Sequence, residues 1–427
     1  MQSDTLRQTD DPIFDKLEHG AVPACGLHQG LRFGSAFQPI YSLSHGRVVG
    51  HEALLRATDA AGRAVAPPQV FDTGGNFAEL LERDRLARLV HIANYFGSDA
   101  PNDQWLFLNV HPDVAAYGAR DARGPFLRRV QRRFNVPSQL IVIEITEESV
   151  RDDDEFGAAI SALREAGCLI AIDDFGAGQS NFDRVWRWRP EIVKLDRSLV
   201  MRAASDLMAR RIVVQMVSLL HECGTLVLME GIETELEAFV ALEADADLVQ
   251  GYYFGRPQAQ RVTCGSAPAV LEDAWVNFTH KGRGERSRQR ERIAPYLNAI
   301  GYASVLASAG RTMDEACRAF LSLPAAEACY LLDADGRQIG TNQWASETTA
   351  ARSRPPKPFE DARGACWSRR PYFRRAVEAV GKVQTTRPYR TLNGGALCIT
   401  VSIAFHFTNA EGRRELRVVG GDLRWQD

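Results

Sequence analysis

Between Phe37 and Pro257 short apolar runs alternate with longer amphipathic stretches. The runs Phe37–Leu43, Val48–Leu55, Trp105–Val110, Leu140–Ile145, Leu169–Asp173, Ile192–Leu195, Leu226–Glu230 and Leu248–Gln250 read as strands. Helical stretches such as Leu80–Phe96, Phe126–Phe134, Glu155–Ala166, Ala209–Cys223 and Glu235–Ala244 separate most of them. Within Leu207–Leu220, apolar residues at 208, 212, 213, 216, 219 and 220 predict a helix packed on a sheet. Eight strands with mostly helical crossovers predict an α/β, TIM-like (β/α)8 barrel over residues 31–266, with a doubly wound sheet as the alternative. The link SHGR between the first two runs is a hairpin turn, so the first strand should run antiparallel to the second.

Outside this region the texture changes. Residues 1–30 read as a tail and 267–300 as a linker helix. From 301 to 427 the pattern is α+β. CYLLDADGRQIG predicts strand, D-G turn, strand; ALCITVSIAFHF and LRVVGGDLRW predict two long strands joined at TNAEGRR.

A chain of 427 residues is long enough for two or three domains. Its net charge of −3 lacks the basic excess of a duplex-binding protein, so no duplex nucleic acid is expected as partner. The segment HKGRGERSRQRER is basic but has no interleaved aromatics, and reads as a solvated helix face. Eight cysteines without a C-x-x-C pair signal neither zinc nor a disulfide framework. The N-terminus has no apolar signal region and no apolar run is long enough for a membrane span, so a cytoplasmic location is expected.

Candidate chemistry lies where the strands end. The C-terminal ends carry Glu52, Asn109, Glu144 with Glu147 beyond it, Asp173 and Asp174, Lys194 and Asp196, Glu230, and Gln250. Any one acidic residue there could be a helix cap or a solvated loop residue. Repetition at successive strand ends points instead to one convergent site on the face where this fold does its chemistry. Clustered carboxylates need cations, and hard oxygen donors select Mg2+ or Mn2+. Adjacent aspartates suit a two-metal site acting on a phosphate ester. His51, His91, His111 and His221 fall at scattered phases and read as structural.

Ordered motifs carry a family resemblance. FQPI at 37–40, HEALLR at 51–56, FLNV at 107–110, EITE at 144–147, DDFGAGQSNF at 173–182, KLD at 194–196, EGIE at 230–233 and QGYYFGRP at 250–257 resemble those of EAL-domain phosphodiesterases. The resemblance implies hydrolysis of cyclic di-GMP to linear pGpG with two Mg2+ or Mn2+ ions. It implies Glu52, Asn109, Glu144, Asp173, Asp174 and Glu230 as metal ligands, with Lys194, Glu230 and Glu52 in catalytic roles. Gln38, Arg56, Asp196, Glu233, Gln250 and Pro257 would contact substrate, and Glu147 would anchor the loop carrying the aspartate pair. The loop reads G-A-G-Q-S-N where the family commonly has G-T-G-Y-S-S, and Met229 stands where Ala is common. A catalytically inert cyclic di-GMP receptor is the alternative.

GGDL at 420–423 lacks the Glu-Phe of a diguanylate cyclase motif and is no cyclase site. The C-terminal region resembles PAS-like or Cache-type sensor domains, which implies a pocket for a small ligand near Arg370, Tyr372, Tyr389 and Asp422. An ordinary dimerisation domain is the equal alternative. A homodimer, with the C-terminal domain regulating the barrel, completes the expectation.

Overall fold

The computed structural model describes residues 12–18, 23–97, 103–120, 126–146, 153–178, 182–262, 268–345, 361–390 and 397–425. The chain forms two compact units, 1–281 and 282–427.

The first unit is a closed eight-stranded barrel. Its strands are β1 Leu31–Ser42, β2 Arg47–Thr58, β3 Trp105–Asn109, β4 Ile141–Thr146, β5 Leu169–Phe175, β6 Ile192–Leu195, β7 Leu226–Met229 and β8 Leu248–Val249. β2 through β8 pair in parallel in sequence order, while β1 pairs antiparallel with both β2 and β8 and closes the ring. The expected barrel with an antiparallel first strand is the fold observed. Short strands Gly26–His28 and Ala64–Val65 extend the sheet beside β1 and β2.

The N-terminal tail is shorter than expected. Gly26–His28 pairs with β1, and Ile13 is buried in the barrel's core, so the fold starts before residue 30. The amphipathic reading of helix Leu207–Glu222 also needs correction. Val213, Val217 and Leu220 are buried, whereas Met208, Ile212 and Leu219 are exposed. The exposed residues lie about 100° or more around the helix from the buried stripe, on a flank that does not face the strands.

Inside the barrel, the two-residue period of the strands stacks side chains in layers. Ile40, Phe107, Val142, Ala171, Ile192, Leu228 and Leu248 form one buried apolar layer. Gly50 of β2 sits at that level because a Cβ there would come within 3.0 Å of the Phe107 ring and of Trp105. Two residues further toward the C-terminal mouth, the same strands place Glu52, Asn109, Glu144, Asp173, Lys194, Glu230 and Gln250. On antiparallel β1 the matching step is two residues back, at Gln38. A dry floor thus lies directly beneath a polar layer.

The second unit is an antiparallel sheet in the order Gln338–Trp344, Ala326–Leu332, Arg414–Trp425, Leu397–Thr408, Gln384–Thr385, with Tyr389–Arg390 also pairing with Leu397–Thr408. One face packs Ile399, Val401, Val419 and Leu423 with Ile300, Ala303, Cys317 and Phe320. The other packs Tyr330, Ala404 and Val418 with Tyr372 and Phe373 of helix Pro371–Glu378. GGDL lies within the strand Arg414–Trp425, not in a catalytic turn. A Cβ on Gly420 would come within 2.5 Å of the Tyr330 ring, and one on Gly421 within 2.6 Å of Phe320. The glycines make room for aromatic rings. Among the described residues, no helix is long and apolar enough to cross a membrane.

Phe107 is fully buried in the floor layer. Phe107→Ala should cost about 3–5 kcal/mol, read as a lowered urea midpoint for the barrel. A shift well under 1 kcal/mol would mean that the floor is not the packed layer described.

Candidate active site

Strand ends bring most of the expected residues together. Gln38, Glu52, Glu230, Glu233 and Gln250 line one cavity of about 210 Å³, together with Arg197, Gly231, Gly251 and Tyr252. One carboxylate oxygen from each of Glu52, Glu144 and Glu230 can be chosen within 4.8 Å of the others, and the same holds for Asp173, Asp174 and Glu230. Asn109 Nδ2 donates to Glu52 Oε1 at 3.2 Å, and Gln250 Nε2 donates to Glu52 Oε2 at 2.7 Å. These amides hold Glu52 from two sides.

Lys194 is the cation of the cluster. Its Nζ lies 2.5 Å from Glu144 Oε1, 2.6 Å from Glu230 Oε1 and 3.0 Å from Asp173 Oδ1, with 1% of its side chain exposed. Those partners raise its pKa well above the ordinary value despite the opposing effect of burial, so the ammonium stays charged. Burial pushes the Glu144 carboxyl well up. Burial, with Asp173 and Glu52 nearby, pushes Glu230 up to about 8 although Lys194 opposes it. Asp174 is raised by burial and then by Asp173.

The cluster fits divalent cations. Glu144 Oε2 and Gln250 Oε1 are buried without a hydrogen-bond partner, which is costly unless something positive or protic faces them. The donors are all hard oxygens. Asp174 adopts φ +57, a left-handed conformation rare outside glycine, and its N–H donates to Asp173 Oδ1 at 3.0 Å. Gly176 follows at φ +96, with Leu199 where a Cβ would stand.

Other expected residues are not in the cavity lining. Asp196 caps the helix Arg197–Ser205, accepting from the Ser198 N–H at 2.9 Å. β6 ends at Leu195, so the two-residue strand step from Lys194 is interrupted there. The Arg56 side chain is exposed and donates to the Leu55 carbonyl at 3.0 Å. Pro257 stands beside Gln258, whose backbone pairs with Phe37. Glu147 lies outside the described residues. Sequence reading passed over Arg197 and Tyr252. Arg197 immediately follows the motif KLD at 194–196 and Tyr252 lies within QGYYFGRP at 250–257, and that placement was the available signal.

The histidines have structural partners. His51 Nδ1 meets the Tyr95 hydroxyl at 3.0 Å and its Nε2 accepts from the Val262 N–H at 3.0 Å; burial lowers its pKa to about 3. His91 meets Ser35 Oγ at 2.8 Å, and His221 meets Asp247 at 2.9 Å.

In the second unit, Arg370, Tyr372 and Tyr389 line a separate cavity of about 270 Å³ with Arg375 and Arg387. Asp422, half-buried, is not among the lining residues but connects to them. The Tyr389 hydroxyl meets Thr400 Oγ1 at 2.6 Å, and Thr400 donates to Asp422 Oδ1 at 2.7 Å. Burial pushes the Asp422 carboxyl up to about 7. All four expected residues therefore fall in one neighbourhood.

A family model described as EAL domain matches residues 25–257. The chain is 28% identical over 255 residues to the cyclic di-GMP phosphodiesterase RocR of Pseudomonas aeruginosa, covering 55% of this chain and 60% of RocR. It is 24% identical over 235 residues to the blue light- and temperature-regulated antirepressor BluF of Escherichia coli, covering 55% of this chain and 57% of BluF. The matched stretch spans 32% and 28% of two further curated relatives, so the chain spans less than two thirds of these proteins' lengths. Its fold is similar to the crystal structure of the Bacillus subtilis YkuI protein, with an EAL domain, in complex with substrate c-di-GMP and calcium. That likeness has a TM-score of 0.74 at 19% identity and covers 92% of this chain and 97% of the other.

A carboxyl held up to about 8 is largely protonated at lower pH, and a cation must displace that proton. Affinity for Mn2+ should therefore weaken as pH falls from about 8 to 6, with proton release on binding. Calorimetry in two buffers of different ionisation enthalpy reads both; pH-independent affinity without proton release would contradict the assignment.

Proposed function

The chain belongs to the EAL domain family, and on that basis we propose that its barrel hydrolyses cyclic di-GMP to linear pGpG with two divalent cations, Mg2+ or Mn2+. The observation that carries this reading is the charge balance of the strand-end cluster. Glu52, Glu144, Asp173, Asp174 and Glu230 bring five carboxylates, and Lys194 brings one ammonium. When all are ionised, five minus one leaves four negative charges, the charge of two divalent cations. Glu52, Asn109, Glu144, Asp173, Asp174 and Glu230 would hold them. When bound, such cations supply activation of a water and neutralisation of phosphoryl charge.

The chain's own residues do the rest. Lys194, kept charged by three carboxylates, orients the attacking water and does not act as a base. Glu230, on the cavity wall, accepts the water's proton. Asn109 and Gln250 fix Glu52, so the ligand set is preorganised. Gln38 and Glu233 face the substrate from the cavity wall. Attack on one phosphorus breaks its bond to the 3′-oxygen and opens the ring.

Within the second unit, residues 301–427 are proposed to be a PAS-like or Cache-like sensor whose cavity at Arg370, Tyr372 and Tyr389 takes a small ligand. Its occupancy would bias turnover in a homodimeric protein in the cytoplasm, through the loop after Asp174.

Purified protein with Mn2+ should convert cyclic di-GMP to pGpG, followed by anion-exchange chromatography. Glu52→Ala and Asp173→Ala should lose both metal binding and turnover. Lys194→Ala should lower kcat by about 100-fold or more with substrate affinity within about threefold. Intact substrate after prolonged incubation would refute the enzyme; binding without turnover would support a receptor, and the antirepressor among its relatives makes that arm worth reading.

Truncation near Ala294 tests regulation. Removing the residues beyond it should change turnover roughly 5- to 150-fold, the size of ordinary allosteric coupling, and change the mass in solution beyond the lost residues. Equal turnover and an unchanged oligomer would leave those residues without a regulatory role.

A further inference from the structure

Resting on the sensor reading of residues 301–427, we infer that their cavity takes a small organic dianion, a carbon frame carrying two carboxylate or phosphate charges. Arg370, Arg375 and Arg387 stand on the cavity's described lining, and no carboxylate stands there with them. None of the three forms an ion pair with a described carboxylate. Arg375 Nη1 donates to the Thr385 carbonyl at 3.4 Å, which occupies one of its five donors. Three like charges around one concavity of about 270 Å³ repel one another, and an anion placed among them offsets that repulsion.

The walls are held in place by the sheet. Thr385 pairs with Val401 and Tyr389 with Cys398, so four steps along one segment face three along the other. The extra residue makes a bulge that lifts Arg387 and Pro388 out of the ladder, and both line the cavity. Pro388 has no N–H to lose there. The segment is pinned on either side of the bulge. Thr386 N–H donates to the Thr400 carbonyl at 3.0 Å, the Thr400 N–H donates to Thr386 Oγ1 at 3.0 Å, and the Tyr389 hydroxyl meets Thr400 Oγ1 at 2.6 Å. Another wall is the start of helix Pro371–Glu378, with Arg370 as its N-cap. Its first turn carries no acidic residue and its cap makes no side-chain hydrogen bond, so the helix's positive end is uncompensated. Ser402 Oγ donates to the Tyr372 carbonyl at 2.8 Å, and the Tyr372 ring meets that of Tyr330 edge-on at 5.9 Å, which locks this turn onto the sheet.

The lining specifies more than charge. Pro371, Pro388 and the rings of Tyr372 and Tyr389 add apolar surface to that of the arginine stems. Inorganic phosphate alone would leave this surface uncovered, so the lining calls for a carbon frame. It does not call for an amino group. Asp422 stands off the lining, where its Oδ1 accepts from Thr400 at 2.7 Å and from Tyr330 at 3.4 Å. A polyamine would bring positive charge to guanidiniums with no lining carboxylate to receive it. The volume lies just below that of drug-sized pockets, roughly 300–1,000 Å³, and suits a frame of a few carbons.

Calorimetry on the full chain at matched ionic strength compares succinate, glycerol 3-phosphate, inorganic phosphate and putrescine. Succinate or glycerol 3-phosphate should bind once per chain, about 10-fold or more tightly than inorganic phosphate, and putrescine should not bind. Which of the two binds better separates a carboxylate ligand from a phosphate one. Arg370→Gln and Arg387→Gln should each weaken that binding roughly 10-fold, with melting temperatures in the absence of ligand unchanged. Arg387→Lys keeps the charge, loses the fork and should fall between. Arg374→Gln, on the same helix but off the lining, should leave affinity as it is. No saturable binding of either organic dianion up to about 10 mM, or binding indifferent to both glutamine substitutions, would overturn the proposal. So would inorganic phosphate binding as tightly as either. Putrescine binding in place of the dianions would overturn the anion class and leave a ligand-binding cavity. Arginine-dependent binding that leaves cyclic di-GMP turnover unchanged would uphold the anion site and refute the regulatory reading.

Discussion

A fully buried ammonium in contact with three carboxylates is the interaction on which the barrel's mouth depends. Lys194 sits 2.5–3.0 Å from Glu144, Asp173 and Glu230, and none of these groups would be tolerated so far from water alone. One cation cannot balance them. Burial, with the neighbouring carboxylates adding to it, pushes Glu144, Asp174 and Glu230 upward. Such a cluster is a poor way to stabilise a fold and a good way to bind multivalent cations. The cost of assembling it is carried by the apolar floor beneath, where Phe107, Ile192 and Leu228 pack without exposed surface.

That arrangement follows from strand periodicity. Each inward-pointing apolar residue is followed two positions later by a polar one, so a single step in sequence converts floor into site. The antiparallel β1 runs the pattern backwards, and Gln38 reaches the same level from Ile40. Closing the ring through β1 brings Gln38 and Gln250 onto the wall of the same cavity.

The barrel was legible in the sequence because its strands are apolar, short and bounded by polar ends. Ile192–Leu195 is recovered residue for residue, and the others shift by a few positions at their ends. β1 begins earlier than its apolar run suggests, since Leu31–Ala36 is mixed in polarity and is recruited by pairing with β2. The N-terminal segment was missed for a related reason: one buried isoleucine and a three-residue strand carry too little pattern to read. Strand-end residues were visible as a repeat, but their destinations were not. Asp196 looks like one more site carboxylate until β6 is seen to end a residue earlier, which makes it a helix cap. Arg197 has the opposite history. Nothing about a lone arginine after a motif marks it, and only folding sets it beside Glu233, thirty-six positions on, by the sequence numbers themselves.

The two sides of the site share one helix start. Asp196 donates its backbone N–H to the Phe175 carbonyl at 3.1 Å, just past the aspartate pair. Leu199, in the first turn of the same helix, fills the space a side chain on Gly176 would need. Arg197, between them, reaches across to Glu233 after β7. A displacement of the segment holding Asp173 and Asp174 would therefore push on the helix turn that carries Arg197. The strain at Asp174, with its left-handed backbone, lies at the start of that path. The contiguity is a physical route by which cation ligation and the cavity's arginine can be felt by one another, because packed side chains transmit displacement and do not absorb it.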